Sequence, residues 1–399
     1  MTKIISVNAG SSSLKFKLFE MPEAKVLTSG LAERIGLKEG AFSIKVGEEK
    51  IEKILPIKDH QIAVELLMNA LLEHHIIENL NEIEGLGHRI VQGGPYFDQS
   101  ALVDEYVESK VEELCDLAPL HNPASLTCYR AFKNVLPANV KHIFVFDTAF
   151  HQTMEAESFL FPVPYEWYTE HKVRRYGAHG TSHQFVAKET AKLLNKNIED
   201  INTITCHLGN GASITAVKGG KCINTSMGLT PLGGIMMGTR SGDLDPTVVF
   251  FMEKKLKATP EDMDLYLNKK SGMLGVSGIS SDARDIQKAA DEGNERAILT
   301  QKLYVNRIIN VIGGYFVQLG HVDAITFTAG VGENDCTLRS MILKGLEEAL
   351  GLDIDYELNS NARGKEVKIS KNHSKISVFV IPTNEELVIA EDTYRILGF

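Results

Sequence analysis

Arginines set among glycines, carboxylates at strand ends and a close pair of histidines carry most of the chemistry in this sequence. Arg89 stands in Gly87-His-Arg-Ile-Val-Gln-Gly-Gly94, and Arg240 in Met237-Gly-Thr-Arg-Ser-Gly-Asp-Leu-Asp-Pro246. Glycine lets a backbone approach a ligand closely, and a guanidinium fork matches carboxylate or phosphate through parallel hydrogen bonds. Both arginines are therefore expected to hold an anion. Asp147 and Glu385 are each expected to end an apolar strand. There a carboxylate either caps the following helix or holds Mg²⁺ through oxygen and water. His179 and His183 form H-x-x-x-H, but Gly180 stands where a zinc metalloprotease carries Glu, so a zinc site is not expected. With Thr181 or Ser182 as N-cap, His179 falls just outside a helix N-terminus, where an anion is favoured. His183 then falls inside the helix as a structural residue.

Four runs rich in glycine or serine lie beside expected strands or helices: Gly10–Ser13, Gly209–Ser213, Gly228–Gly238 and Gly330–Asn334. One such turn is ordinarily structural; four together point to backbone N–H groups cradling phosphate. None is a Walker A loop, because Gly233-x-x-x-x-Gly238-Thr239 lacks the lysine. Gly330-Val-Gly332 fails as a dinucleotide fingerprint, because Asp335 occupies the third glycine position.

The elements that must position these residues are legible from periodicity. Ile4, Ile5 and Val7 are β-formers, Asn8–Ser13 is turn chemistry, and Leu14, Phe16 and Leu18 alternate with Lys15 and Lys17. A hairpin results, with Lys15 on the face opposite its apolar neighbours. The layout recurs as strand Thr203–Cys206, turn His207–Ser213 and strand Ile214–Val217, with Asn8 falling on His207 and Gly10 on Gly209. That repeat suggests a duplicated domain. Helices are expected at His60–Leu72, Thr181–Leu194, Asp245 through Leu256, Thr337–Leu350, and Glu295–Leu319 with an interruption at Gly313-Gly314. Strands are expected at Val140–Phe146, Ala324–Thr328 and Ser377–Ile381. The alternation implies a mixed α/β architecture.

The 399 residues are 43% hydrophobic and 24% charged, which is globular usage with chain enough for two or three domains. A net charge of −10 argues against a nucleic-acid or anionic-membrane partner. No apolar run approaches the roughly 18 residues of a membrane span. The first residues run straight into a strand pattern without a signal-peptide core, so a cytoplasmic chain is expected. Cys115, Cys128, Cys206, Cys222 and Cys336 contain no C-x-x-C and suit buried, reduced thiols. Cys206, beside His207, is read as a buried strand thiol with redox sensitivity as the alternative.

Taken together, Ser6-Val-Asn-Ala-Gly-Ser-Ser-Ser-Leu-Lys15, Arg175-Tyr-Gly-Ala-His-Gly-Thr-Ser-His183, His207-Leu-Gly-Asn-Gly-Ala-Ser213, Met237–Pro246 and Phe327-Thr-Ala-Gly-Val-Gly-Glu-Asn334 resemble the acetokinase family. The likeness extends to Ala390-Glu-Asp-Thr393 and so covers essentially the whole chain. It implies duplicated actin-like ATPase (ribonuclease H-like) α/β domains closing over a nucleotide cleft. Domain I would be 1–149 plus 383–399, and domain II 150–382. It also implies a homodimer, ATP and ADP as co-substrates, Mg²⁺ or alternatively Mn²⁺, and phosphoryl transfer to acetate, with propionate as the alternative acceptor. By the same likeness Asn8 and Glu385 match metal-site positions and Lys15 an ATP-contacting lysine. His207, Leu208, Gly209, Asn210 and Gly211, then Asp282, Ala283 and Arg284, then Gly330, Val331, Gly332, Glu333 and Asn334 match nucleotide-binding stretches. Arg89 matches a substrate-binding arginine, Asp147 an active-site acid, and His179 and Arg240 transition-state stabilisers. Val91, Leu120 and Pro231 match an apolar acyl pocket. Ala178 stands where some members carry phenylalanine, which leaves the acyl length open.

Overall fold

A computed structural model describes all 399 residues, Met1–Phe399. The chain forms two compact units, Met1–Phe150 with Asn384–Phe399, and His151–Thr383.

The first unit is built on strands β1 (Thr2–Gly10), β2 (Ser13–Met21), β3 (Lys25–Glu33), β4 (Gly40–Val46), β5 (Glu49–Leu55), β6 (Ile83–Ile90), β7 (Ala101–Leu102) and β8 (Lys141–Phe146). Their order is β5-β4-β3-β2-β1-β6-β8-β7, with β1, β6 and β8 parallel and the other neighbours antiparallel. The period-two pattern of β2 buries Leu14, Phe16 and Leu18 and leaves Lys15 exposed, as alternation requires. Those residues pack with Val64, Leu67 and Leu71 of the helix His60–Glu73 and with Phe132 of the helix Asn122–Val135. The closing helix, Glu385–Leu397, lies on β1, β6 and β8. Gly87 allows its close approach: a Cβ there would lie 2.4 Å from Ile389 Cγ2 and 3.0 Å from the Ile389 carbonyl oxygen.

The second unit carries β9 (Asn202–Leu208), β10 (Ala212–Lys218), β11 (Lys221–Thr225), β12 (Ala324–Thr328), β13 (Val367–Lys368) and β14 (Ser377–Val380), in the order β11-β10-β9-β12-β14-β13. Here β9, β12 and β14 are parallel and the rest antiparallel. The first sheet thus contains a five-stranded meander and the second a three-stranded one, each continued by two parallel strands and an antiparallel edge strand. The sequence repeat shows up in register, since Asn8 pairs with Lys15 across β1 and β2, and His207 with Ser213 across β9 and β10.

Several elements depart from the sequence reading. Asn8, His207 and Leu208 belong to strands rather than turns. Glu295–Leu319 is one continuous helix, with no interruption at Gly313-Gly314. Its buried stripe of Ile308, Ile312, Tyr315 and Leu319 offsets the roughly 1 kcal/mol that each mid-helix glycine costs. The helix expected from Thr181 starts at Gly180, with His179 at the N-cap. Neither Thr181 nor Ser182 caps it, because the Ser182 hydroxyl bonds His207 and Thr383 instead. Gly330–Asn334 is not a turn but part of a short helix, Ala329–Asn334, whose first N–H donates to Glu333 Oε1 at 2.8 Å. Glu385 does not end a strand: β14 stops at Val380, Asn384 caps the next helix, and Glu385 is its first residue.

Candidate active site

Each unit holds its own set of the candidate residues. In the first, β6 delivers Arg89 and the end of parallel β8 delivers Asp147, fifty-eight residues away in sequence. The two form a forked ion pair, with Arg89 Nε donating to Oδ1 at 2.9 Å and Nη2 to Oδ2 at 2.6 Å. Asp147 is fully buried. Burial opposes the guanidinium's charge, but Asp147 and then Glu385 more than offset it and hold its pKa above the ordinary value. Glu385 is pushed up by burial, against the pull of Arg89 and with the repulsion of Asp147 and Glu386. Its Oε1 is buried without a hydrogen-bond partner. Lys15 reaches Glu386, one residue further along the same helix, as an ion pair. Val91, just past β6, is half-buried, whereas Leu120 is 48% exposed.

The run after Arg89 is held by a residue that sequence reasoning missed. Buried Asn122 accepts from the Gln92 N–H at 3.1 Å and donates to the Gln92 carbonyl at 3.0 Å. Nothing local marks it, since it is an asparagine in the first turn of a helix thirty residues away.

In the second unit, His179 adopts a left-handed backbone, φ 60°, which turns its ring from the helix N-terminus back over β9 and β10. Its Nδ1 bonds Ser213 Oγ at 2.8 Å, and its ring stacks on His207 with centroids 4.0 Å apart. His207 Nδ1 in turn meets Ser182 Oγ at 2.8 Å. Arg240 points at the same place: a Cβ on Gly211 would lie 3.3 Å from Arg240 Nη1 and 3.6 Å from His179 Nε2. Arg240 is half-buried and donates only to the Pro231 carbonyl, at 3.2 Å, and to the Met237 sulfur. Burial lowers its pKa, and no carboxylate neutralises it. A guanidinium in that state is suited to an incoming anion. Ala178 is packed into the core of this unit, with its carbonyl 3.0 Å from His151 Nε2.

A cavity of about 630 Å³ lies beside this cluster. Its wall includes the expected Gly209, Asn210, Asp282, Ala283, Arg284, Gly330, Val331 and Asn334, and also Gln287, Asp335, Thr337 and Arg363. The last four sit in helices or loops with no glycine-rich signature. Asp282 caps the helix Ala283–Asp291 and is pulled down to about 2 by its hydrogen bonds from Arg284. His207, Leu208, Gly211, Gly332 and Glu333 are not on that wall. Leu208 is a core residue, and Glu333 Oε1 instead joins the N–H groups of Ala329 and Thr383.

The metal readings separate cleanly. His183 spends both ring nitrogens on hydroxyls, Thr205 at 2.6 Å and Ser213 at 2.7 Å, and no three His, Cys, Asp or Glu side chains converge as a metal shell. Mg²⁺ asks for less, since it keeps several waters and takes one or two carboxylates plus substrate phosphate. The orphaned, buried Glu385 oxygen fits that demand. Cys206 is buried and its thiol is pushed far up, so it is the inert strand thiol of the two readings.

Residues 3–391 match the model of the acetokinase family. The chain is 54% identical over 393 residues to the acetate kinase of Macrococcus caseolyticus (strain JCSC5402), covering 98% of each chain. It is 51% identical to that of Bacillus subtilis (strain 168), covering 99% of this chain and 100% of that one. Among solved structures, Porphyromonas gingivalis acetate kinase superposes with a TM-score of 0.94 at 43% identity over the full length of both. A propionate kinase from Francisella tularensis superposes with a TM-score of 0.93 at 39% identity, covering 99% of this chain and 100% of that one.

Proposed function

Because the chain belongs to the acetokinase family and is a phosphotransferase, we propose that it moves the γ-phosphoryl group of ATP to acetate, reversibly, giving acetyl phosphate and ADP. The observation that carries this reading is Arg240, a cation without a counter-ion, converging with His179 on the open side of Gly211. A carboxylic acid with a pKa of about 4 to 5 is already ionised at pH 7, so acetate needs no base. Asp147, with both carboxylate oxygens on one edge of the Arg89 guanidinium, accordingly orients that arginine rather than taking a proton. The remaining Arg89 N–H groups would hold the acetate carboxylate. Arg240 and His179 would hydrogen-bond the equatorial oxygens of the in-line phosphoryl transition state. The nucleotide would occupy the 630 Å³ cavity, with the Asp282–Arg284 and Gly330–Asn334 segments at its wall. Glu385 and Asn8 would hold Mg²⁺ or Mn²⁺, which when bound supplies positive charge to the nucleotide phosphates. Lys15 would add charge from the β2 edge.

Val91, Leu120 and Pro231 would receive the acyl methyl group. Ala178 supports a second reading, propionate, because its side chain is smaller than the phenylalanine that some members carry. One methylene changes kcat/KM by only about 10–200-fold. The five free thiols support a cytoplasmic location. The exposed apolar side chains Val248, Phe250 and Phe251 on the helix Pro246–Leu256 support a homodimer. An ATP-dependent acyl phosphate assay across acetate, propionate and butyrate tests the reaction, with acetate expected to give the highest kcat/KM. No product from acetate overturns the reading; equal kcat/KM for acetate and propionate overturns only the choice of acid.

A further inference from the structure

His179 keeps its left-handed backbone, φ 60°, although it is not glycine, and such a conformation lasts only where the surroundings hold it. On one side the helix begins at Gly180, and the His179 carbonyl accepts from the His183 N–H at 2.9 Å. On the other, the Gly228 carbonyl accepts from the N–H groups of Tyr176 and Gly177, at 3.0 and 3.2 Å. Between them lies the peptide plane that joins Ala178 to His179. A peptide unit turns as one plate, so the direction of the Ala178 carbonyl and the φ of His179 change together. That carbonyl is where His151 Nε2 makes its hydrogen bond, at 3.0 Å. A carbonyl oxygen only accepts, so Nε2 carries the proton and donates, in a neutral ring and in an imidazolium alike. His151 is fully buried, and its Nδ1 faces the Sγ of buried Cys222 at 3.3 Å. Gly177, with φ 76°, lets the chain lie against the ring: a Cβ there would come within 2.6 Å of His151 Cδ2.

We infer that His151 is a positioning residue for His179: by holding the Ala178 carbonyl, it fixes the left-handed turn that lays the His179 ring over β9 and β10. Turning that peptide over would swing φ of His179 out of the left-handed region and take the ring from its stack on His207 and its bond to Ser213. It would also leave the Ala178 carbonyl, in the core of this unit, without its donor. His151 reaches the backbone of the residue before His179, so its effect on catalysis passes through the place of that ring. The catalytic consequence rests on the phosphotransfer role proposed for His179; the placement itself does not.

Three substitutions in the full-length enzyme separate the lost hydrogen bond from lost packing. In His151→Phe the ring remains and the donor is gone. In His151→Asn the amide falls near the place of Nδ1, towards Cys222, whereas in His151→Gln an amide N–H falls near the place of Nε2. Because His179 is assigned to the transition state, the Phe and Asn variants should lower kcat by on the order of 10², with the KM values for ATP and acetate little changed. His151→Gln should recover much of that loss. Equal kcat in the Asn and Gln variants, or a loss that shows in KM alone, overturns the inference, and that pair still decides should the Phe variant fail to fold. A double variant adds a second measure: once residue 179 is alanine its placing no longer counts, so adding His151→Phe to His179→Ala should lower kcat no further. A second loss on the order of 10² there would mean general damage to the site and contradict the inference. A crystal structure of His151→Asn reads the placement without turnover. The Ala178–His179 peptide should be turned and the ring off His207; a φ of His179 still at 60° with the ring in place sinks the inference. If His179→Ala retains full kcat, the catalytic role proposed for His179 fails, and the crystal structure decides the placement by itself.

Discussion

Arg89 and Arg240 are both arginines among glycines, yet the protein treats their charges in opposite ways. Arg89 is clamped by a fully buried carboxylate, which fixes the plane of its guanidinium and leaves the remaining N–H groups for a ligand. Arg240 is held only through a neutral carbonyl and a sulfur, so its charge is left for whatever binds. If that charge falls on a phosphoryl group in the transition state, Arg240→Ala should lower kcat by on the order of 10³ with little change in fold. Steady-state kinetics beside a far-ultraviolet spectrum checks this, and a near-native kcat would remove Arg240 from the mechanism. Asp147→Asn keeps the shape but loses the charge pairing. It should raise the KM for acetate more than that for ATP, read from substrate titrations, because what it loosens is Arg89.

At the scale of elements, two features set the first unit's geometry: the parallel trio β1, β6 and β8, and the closing helix laid on it. The trio places Arg89 and Asp147 on adjoining strand ends, because parallel strands finish at the same edge of a sheet. The helix brings Glu385 to that edge only because Gly87 has no side chain. In Gly87→Ala the new methyl would sit against Ile389 and 2.3 Å from Thr393 Oγ1. Overpacking of this kind costs about 1–3 kcal/mol, so the urea midpoint should drop, and the Mg²⁺ concentration for half-maximal activity should rise as Glu385 is displaced. A variant with unchanged midpoint and metal requirement would show that the helix yields without consequence.

For the molecule as a whole, acid stability follows from histidines buried as neutral rings. Burial holds His88 and His183 well below the ordinary value and lowers His142 to about 4, with Lys133 adding to the effect on His142. Below about pH 6.5 the unfolded chain binds protons at these three sites while the folded chain does not. The unfolded state then holds more protons, so this part of the stability is complete above pH 6.5 and is lost as pH falls towards 4. Each histidine contributes up to about 1.4 kcal/mol per pH unit across that window. Urea midpoints at pH 7.5 and 5.0 check the sign; an equal or higher midpoint at pH 5.0 contradicts it. The proposed homodimer is a second property of the whole. Phe250→Asp should shift the mass in light scattering from two chains to one, whereas a monomeric wild type at micromolar concentration would remove the proposal.

Local sequence carries local periods, and these held where one segment decides its own conformation. The alternation of β2, the strand Ala324–Thr328 and the cap formed by Asp245 before Pro246 were all legible, because each depends on neighbours a few residues away. The recurring strings also pointed to Gly209–Asn210 and Gly330–Val331, and the family resemblance to Asp282–Arg284; the structure gathers all three segments around one cavity. Where a distant partner decides, sequence was silent or misleading. A long buried stripe kept the helix continuous through Gly313-Gly314, and a carboxylate of its own helix turned Gly330–Asn334 from a loop into a helical turn. The fork between Arg89 and Asp147, the clamp of Asn122 on Gln92, the place of Arg363 on the cavity wall and the chain from Thr205 to His179 each join residues far apart in sequence. Only the pairing of strands and the seating of helices fixes such contacts. Residue type and spacing determined what chemistry was at hand, and tertiary structure decided which charges are neutralised and which are left open.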